Sequence, residues 1–173
     1  MKKKRNKSKK GVILVGHGGV PKDFPYELIA KLKRLEMQRS SSGLKPTPEE
    51  MELDSKIRNW PRTSETDPYK AGLESLGAQL KPLLGEAQFK VAFNEFCAPT
   101  LEEAVSQFVS SGVEEITVIP SMLTPGGSHS ELEVPEIMKD LRSTYPSVKF
   151  WYAWPFDLKK VAYLLWEQVE RFH

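Results

Sequence analysis

The 173-residue sequence predicts an α/β fold: a four-stranded parallel sheet with helices on both faces, built as a single domain. Three observations carry this reading. Short apolar runs recur at 11–16, 89–93, 116–120 and 148–153, rich in β-branched and aromatic residues, as in strands buried on both faces. The stretches between them place apolar residues at helical spacing. Strands that alternate with helices pair in parallel through right-handed crossovers, and sites in such sheets lie beyond the carboxyl ends of the strands.

The first run, Gly11-Val12-Ile13-Leu14-Val15-Gly16, is bounded by glycine at both ends, and helical spacing follows over 28–37. From 39 to 68 the rhythm breaks. Ser40, Ser41, Ser42 and Gly43 are followed by Pro46, Pro48, Pro61 and Pro68. Within this excursion Thr47-Pro48-Glu49-Glu50 reads as a helix start with proline at the first helical position, predicting a short helix over 48–58. The excursion is too long for an ordinary connection and is expected to be a lid or an interface. Helical spacing resumes over 71–84. After the second strand Thr100 is placed as an N-cap with Glu103 three residues on, and Leu101, Ala104, Val105 and Phe108 form an inward stripe that Gly112 closes. Further helices are expected over 134–141 and 158–172.

Composition excludes several classes. Apolar residues make up 39% and charged residues 28%, far from disordered or membrane compositions. No apolar run is long enough to cross a bilayer and the N-terminus lacks the apolar core of a secretory signal, so a cytoplasmic location is expected, with no membrane partner. The single cysteine, Cys97, rules out an intramolecular disulfide and a Cys-rich metal site, and is read as a packing residue. Seven of the 25 basic residues fall within the first ten positions, so the net charge of +2 becomes about −5 over the rest. Residues 1–10 are therefore read as a disordered, solvated basic tail and 11–173 as the domain, with no nucleic-acid partner expected. Neither a phosphate-binding Gly-x4-Gly-Lys-Ser/Thr loop nor a Gly-x-Gly-x-x-Gly turn is present, leaving ATP and nicotinamide without a binding motif.

The chemistry-bearing residues converge on one edge. His17 follows the first strand, Glu95 the second and His129 the third. Two imidazoles and a carboxylate suit a divalent cation such as Co²⁺, Ni²⁺, Fe²⁺ or Zn²⁺, and three protein ligands leave coordination positions open for exchange. The same imidazoles could instead take protons from a substrate nitrogen. Gly18, Gly19, Gly126, Gly127 and Ser128 surround the histidines, and turns without a β-carbon let a large anionic ligand approach backbone N–H groups.

These segments resemble the CbiX family of class II chelatases. The resemblance is carried by Ile13-Leu14-Val15-Gly16-His17-Gly18, by Ala92-Phe93-Asn94-Glu95 with Pro99-Thr100-Leu101-Glu102-Glu103-Ala104, and by 119–129 followed by Glu133-Val134-Pro135. It covers 11–37 and about 70–170, and Glu133-Val134 stands where the family usually carries Asp-Ile. It implies metal insertion into sirohydrochlorin without ATP and with no cofactor beyond the metal substrate, Co²⁺ first and Ni²⁺ or Fe²⁺ next. It makes His17, His129 and Glu95 the metal-binding and catalytic residues, and the glycines with Ser128 the contacts for the tetrapyrrole. The tetrapyrrole is an octacarboxylate, so cations such as Lys22, Arg58 or Arg62 are expected in the pocket. A one-repeat chain implies a homodimer. The rival expectation is a chelatase-fold protein that binds or delivers metal or tetrapyrrole without inserting it.

Overall fold

In the computed structural model, which describes residues 8–40 and 44–173, strands β1 (Lys10–Gly16), β2 (Gln88–Phe93), β3 (Glu115–Pro120) and β4 (Lys149–Tyr152) form one sheet in the order β2-β1-β3-β4. All three pairings are parallel, with Ile13 opposite Lys90 on one side and Val118 on the other. The chain leaves β1 first toward β2 and later returns to place β3 on the other flank. The order therefore reverses at β1, and the crevice at such a switch point is where α/β sheets bind ligands.

Side-chain alternation along β1 divides the interior. Ile13 and Val15 join Ala92, Ile116 and Val118 in a core closed by α4 (Leu101–Ser110) and α5 (Val134–Thr144). Leu14 points to the opposite face, where it meets Phe93, Cys97 and Leu73 of α3 (Pro68–Leu80). Helix α4 has the expected capping box, with Thr100 and Glu103 each bonding the other's backbone N–H, and its four-residue stripe is buried. Helix α3 ends four residues early. Pro82 lacks the N–H that would continue the ladder, and Lys81–Leu84 tightens into a 3₁₀ turn.

The excursion is an ordered helical layer. Helix α2 (Pro48–Arg58) starts as predicted, with Thr47 Oγ1 accepting from the Glu50 N–H and proline in the first turn. It packs against α1 (Tyr26–Ser40) through a core of its own, in which Phe24, Ile29, Leu32, Leu53 and Ile57 are buried against Trp60 and Phe96. Arg39–Glu50 and Lys31–Glu49 ion pairs tie the two helices together. Residues 41–43 lie outside the described residues.

The tail boundary is corrected. Lys10 is already the first residue of β1, the Lys9 carbonyl accepts from the N–H groups of Glu114 and Glu115, and Ser8 donates to the Glu115 carboxylate. The N-terminal edge of β3 thus captures residues 8–10, and the rest of the basic tail, 1–7, lies outside the described residues. Coverage of the second face is incomplete. Helix α6 (Leu158–Glu170) buries only Val161, and Trp151 on β4 is 61% exposed. No helix among the described residues is long and apolar enough to cross a membrane.

β1 and α4 pack closely, so that a β-carbon at Gly11 would lie 2.7 Å from the buried Phe108 ring. Phe108→Ala removes the largest side chain of this seam and is expected to lower stability by about 3–5 kcal/mol, read from urea unfolding.

Candidate metal centre

The β1–β2 ladder continues beyond the strands. The Asn94 N–H donates to the Gly16 carbonyl at 2.9 Å and the Glu95 N–H to the His17 carbonyl at 2.8 Å, so the two loop tips leave the sheet still paired. Gly18 makes this approach possible: at φ +95° it lies so close beneath Glu95 that a β-carbon would fall 1.8 Å from the Glu95 carbonyl oxygen. On the other flank of β1, the turn after β3 reaches a π-helical segment, His129–Glu133, that runs into α5. Such wide turns carry functional groups more often than ordinary helix does.

The structure brings His17, Glu95 and His129 together, with one ligand atom from each lying within 4.8 Å of the others. His17 Nε2 is 3.8 Å from Glu95 Oε2, and the two imidazoles meet edge to face with ring centroids 4.4 Å apart. All three side chains are partly exposed, so the cluster opens to solvent.

Hydrogen bonding orients both rings alike. His17 Nδ1 lies 2.8 Å from the Gly18 carbonyl, which can only accept, so the proton sits on Nδ1. His129 Nδ1 lies 2.9 Å from Glu133 Oε2, and Asn94 Nδ2 donates to the same oxygen at 2.7 Å. Asn94 Nδ2 also lies 2.9 Å from His129 Nδ1, so the ring nitrogen sits between a donor and an acceptor. With its proton on Nδ1, turned to the carboxylate, His129 would offer its Nε2 lone pair as His17 does, the arrangement by which a carboxylate or carbonyl behind a histidine prepares it for a metal. Burial opposes the ionisation of Glu133, but hydrogen bonds from His129, Asn94 and Ser128 outweigh it and hold the carboxyl below its ordinary value. Tyr152 secures the same turn by donating to the Ser130 carbonyl at 2.7 Å. Burial, then the Glu131 charge, pushes its hydroxyl up to about 12, so it stays a donor.

Three residues around this cluster, Glu133, Asn94 and Tyr69, were not assigned a role there from the sequence, and a fourth, Arg62, was expected as a pocket cation instead. Glu133 and Asn94 lie within the quoted motifs, but only the turn of the chain sets them behind His129. Tyr69 accepts the His17 N–H at 2.8 Å, and Arg62 bonds the loops on either side of the cluster. Arg62 comes from the end of the excursion and Tyr69 from the first turn of α3, and the proline-rich sequence there gave no sign of facing the strand tips.

The glycine-rich turns divide. Gly18 is buried beneath Glu95, whereas Gly126, Gly127 and Ser128 are exposed at the rim, where the Gly126 N–H already donates to Glu131. Two of the candidate pocket cations are corrected. Arg62 is 5% exposed and spent on Asp67 and backbone carbonyls, and Arg58 pairs with Asp54 at 2.7 Å. Lys22 is exposed. On α1, next to Glu95, burial raises the Glu36 carboxyl, and repulsion from Glu95, Glu50 and Asp54 raises it further, against the pull of Arg39.

Comparison with known proteins matches residues 62–171 to the CbiX family. The chain belongs to the CbiX family. Glu95 and His129 fall inside the matched span and His17 before it. Among curated CbiX-like relatives, a sirohydrochlorin cobaltochelatase of Priestia megaterium is 32% identical over 73 residues, which are 42% of this chain and 24% of that protein. A sirohydrochlorin ferrochelatase of the same organism is 26% identical over 81 residues, or 46% of this chain and 30% of the relative. The matches thus span about a quarter to a third of these two relatives. A solved CbiX protein of Marinobacter aquaeolei VT8, described in terms of cobalamin (vitamin B12) biosynthesis, shares the fold. Its TM-score is 0.53 at 18% identity, covering 94% of this chain and 98% of that one.

Cys97, two residues beyond Glu95, is fully buried, and desolvation pushes its thiol up to about 11 despite the nearby Arg62 charge. At pH 8 iodoacetamide is expected to alkylate it at least about 100-fold more slowly than free cysteine, followed by mass spectrometry, with full labelling on denaturation.

Proposed function

We propose that this chain is a class II-type chelatase that inserts a divalent metal into sirohydrochlorin without ATP, with Co²⁺ the first choice and Ni²⁺ or Fe²⁺ the next. The observation that carries the reading is the cluster of His17, Glu95 and His129 within 4.8 Å, with both Nδ1 atoms already engaged. The names of the curated relatives supply the substrate class. Three ligands hold the metal while its remaining positions exchange water for macrocycle nitrogens. Insertion replaces two pyrrole N–H protons by one M²⁺, so two protons must leave. A histidine or Glu95, freed as the metal moves to the ring, is placed to take them.

The macrocycle is assigned to the rim of the cluster, along the exposed turn of Gly126, Gly127 and Ser128. Gly18 and Gly19 keep the β1 loop low enough for it to pass. The proposed setting is the cytoplasm.

We further read the working unit as a homodimer. Leu158, Leu164, Leu165, Trp166 and Val169 on α6, with Phe172 just past its end, present a broad apolar surface, each more than half exposed, and Trp151 on β4 is exposed as well. An apolar surface of this size on a monomer marks an association site. Leu165, 58% exposed, lies near the centre of that face, and Leu165→Glu is expected to convert a dimer to a monomer by light scattering after size exclusion.

The activity is tested by the absorbance change when the protein meets sirohydrochlorin with Co²⁺, Ni²⁺ or Fe²⁺ in turn. His17→Ala and His129→Ala are each expected to slow insertion by roughly 100-fold or more. Insertion at the wild-type rate in both variants would overturn the assignment. Binding of metal and macrocycle without a spectral change to the metallated product would instead favour a delivery protein.

A further inference from the structure

The loops that bear His17 and Glu95 share one cation that touches neither side chain. Arg62 donates through Nη1 to the Gly19 carbonyl at 2.8 Å and through Nη2 to the Phe96 carbonyl, and also through Nη2 to the Ile57 carbonyl at 2.9 Å. Gly19 is two residues beyond His17 and Phe96 is one residue beyond Glu95. A single planar guanidinium therefore spans both loops and pins them to the end of α2. Its charge is balanced by Asp67, with which it is paired, and the two side chains are 5% and 2% exposed. Asp67 is held in turn as the N-cap of α3, accepting from the Lys70 N–H at 2.9 Å.

We propose that Arg62 is a positioning residue that sets the separation of His17 and Glu95 for metal binding. The proposal rests on the metal centre described above. The backbone makes such a clamp necessary. Phe96 adopts φ +55°, a left-handed conformation disfavoured for a bulky residue, and this turns its carbonyl toward Arg62. Gly18, meanwhile, is in close contact with the Glu95 carbonyl, so the loops are pressed together by packing and need a bond to fix their register. Stability alone is a poor reason for the arrangement. Burying an ion pair roughly cancels its own attraction, and Arg62 Nε is buried without a partner among the described residues. Lysine cannot substitute, because one ammonium has no planar fork to reach both carbonyls and Asp67 together. The clamp belongs to the excursion, and this gives the inserted segment a role at the site other than covering it.

The test uses the full chain with Arg62→Lys, Arg62→Met and Ile57→Val, the last weakening the same packing without touching the loop carbonyls. Co²⁺ affinity is measured by competition with a chromophoric chelator, and ligation by the visible d–d spectrum. Both Arg62 variants are expected to bind Co²⁺ about 10- to 100-fold more weakly. Their spectra should approach that of Glu95→Ala, while Ile57→Val stays within about twofold of wild type in affinity. Independently of any metal, hydrogen exchange at the Asn94 and Glu95 amides, which bond to β1, should quicken in Arg62→Lys. Arg62→Lys with wild-type affinity and spectrum overturns the proposal, as does equal loss in Ile57→Val. Should Arg62→Met fail to fold, the exchange rates of Arg62→Lys decide: unchanged protection at both amides overturns the clamp. Absence of Co²⁺ binding by the wild type would sink the metal centre, whereas the exchange result speaks to the clamp alone.

Discussion

Parallel strands lie about 4.8 Å apart and end at a common edge. In this chain the ligand atoms of His17, Glu95 and His129 lie within 4.8 Å of one another at that edge. The sheet sets which edge carries the site. His17 and Glu95 are joined by a ladder-type bond that continues the β1–β2 pairing, and β3, paired along the other side of β1, launches the turn that brings His129 across. With the strand order β2-β1-β3-β4, β1 is the only strand that neighbours both β2 and β3, so the switch point and the cluster coincide. The remaining features of the site serve to hold side chains at a spacing the backbone has already set.

That holding is done by hydrogen bonds to atoms facing away from the cluster. A carbonyl behind His17, and a carboxylate with the Asn94 amide behind His129, engage both Nδ1 atoms, which leaves the two Nε2 atoms and one carboxylate for a cation. Asn94 and Glu133 act as a pair, since the amide satisfies the carboxylate that orients the ring. The partial exposure of all three candidate ligands suits a metal that must be released: a fully enclosed four-ligand site would keep it.

The excursion changes the electrostatics as well as the shape. It brings Glu50 and Asp54, each paired with an arginine, to the side of Glu36, and it delivers Arg62 to the loops after β1 and β2. Its own core of Phe24, Ile29, Leu32, Leu53 and Ile57 makes it a structured layer instead of a loose flap. Helix α6 presents the opposite case, a well-formed amphipathic helix whose apolar face finds little to pack against in its own chain.

Much of this was legible in order along the chain. The glycine-bounded run at 11–16, the capping box of Thr100 and Glu103 and the Thr47-Pro48 helix start are local signals, because strand burial, capping and proline geometry depend on neighbours in sequence. His17, Glu95 and His129 were legible for a related reason: in a parallel sheet, position after a strand implies position at one edge. The roles of Arg62, Tyr69, Asn94 and Glu133 were not, since each depends on a contact between segments 34 to 52 residues apart or on the width of a turn. Nor could the sequence reveal that α6 would leave its apolar stripe uncovered, because periodicity reports that a helix has a face to bury and says nothing of where the surface that covers it lies. Sequence by itself determined which residues could bind a cation and at which end of the sheet. Tertiary structure alone decided their distances, their protonated nitrogens and the cation that clamps their loops, because those are set by through-space contacts that no local pattern encodes.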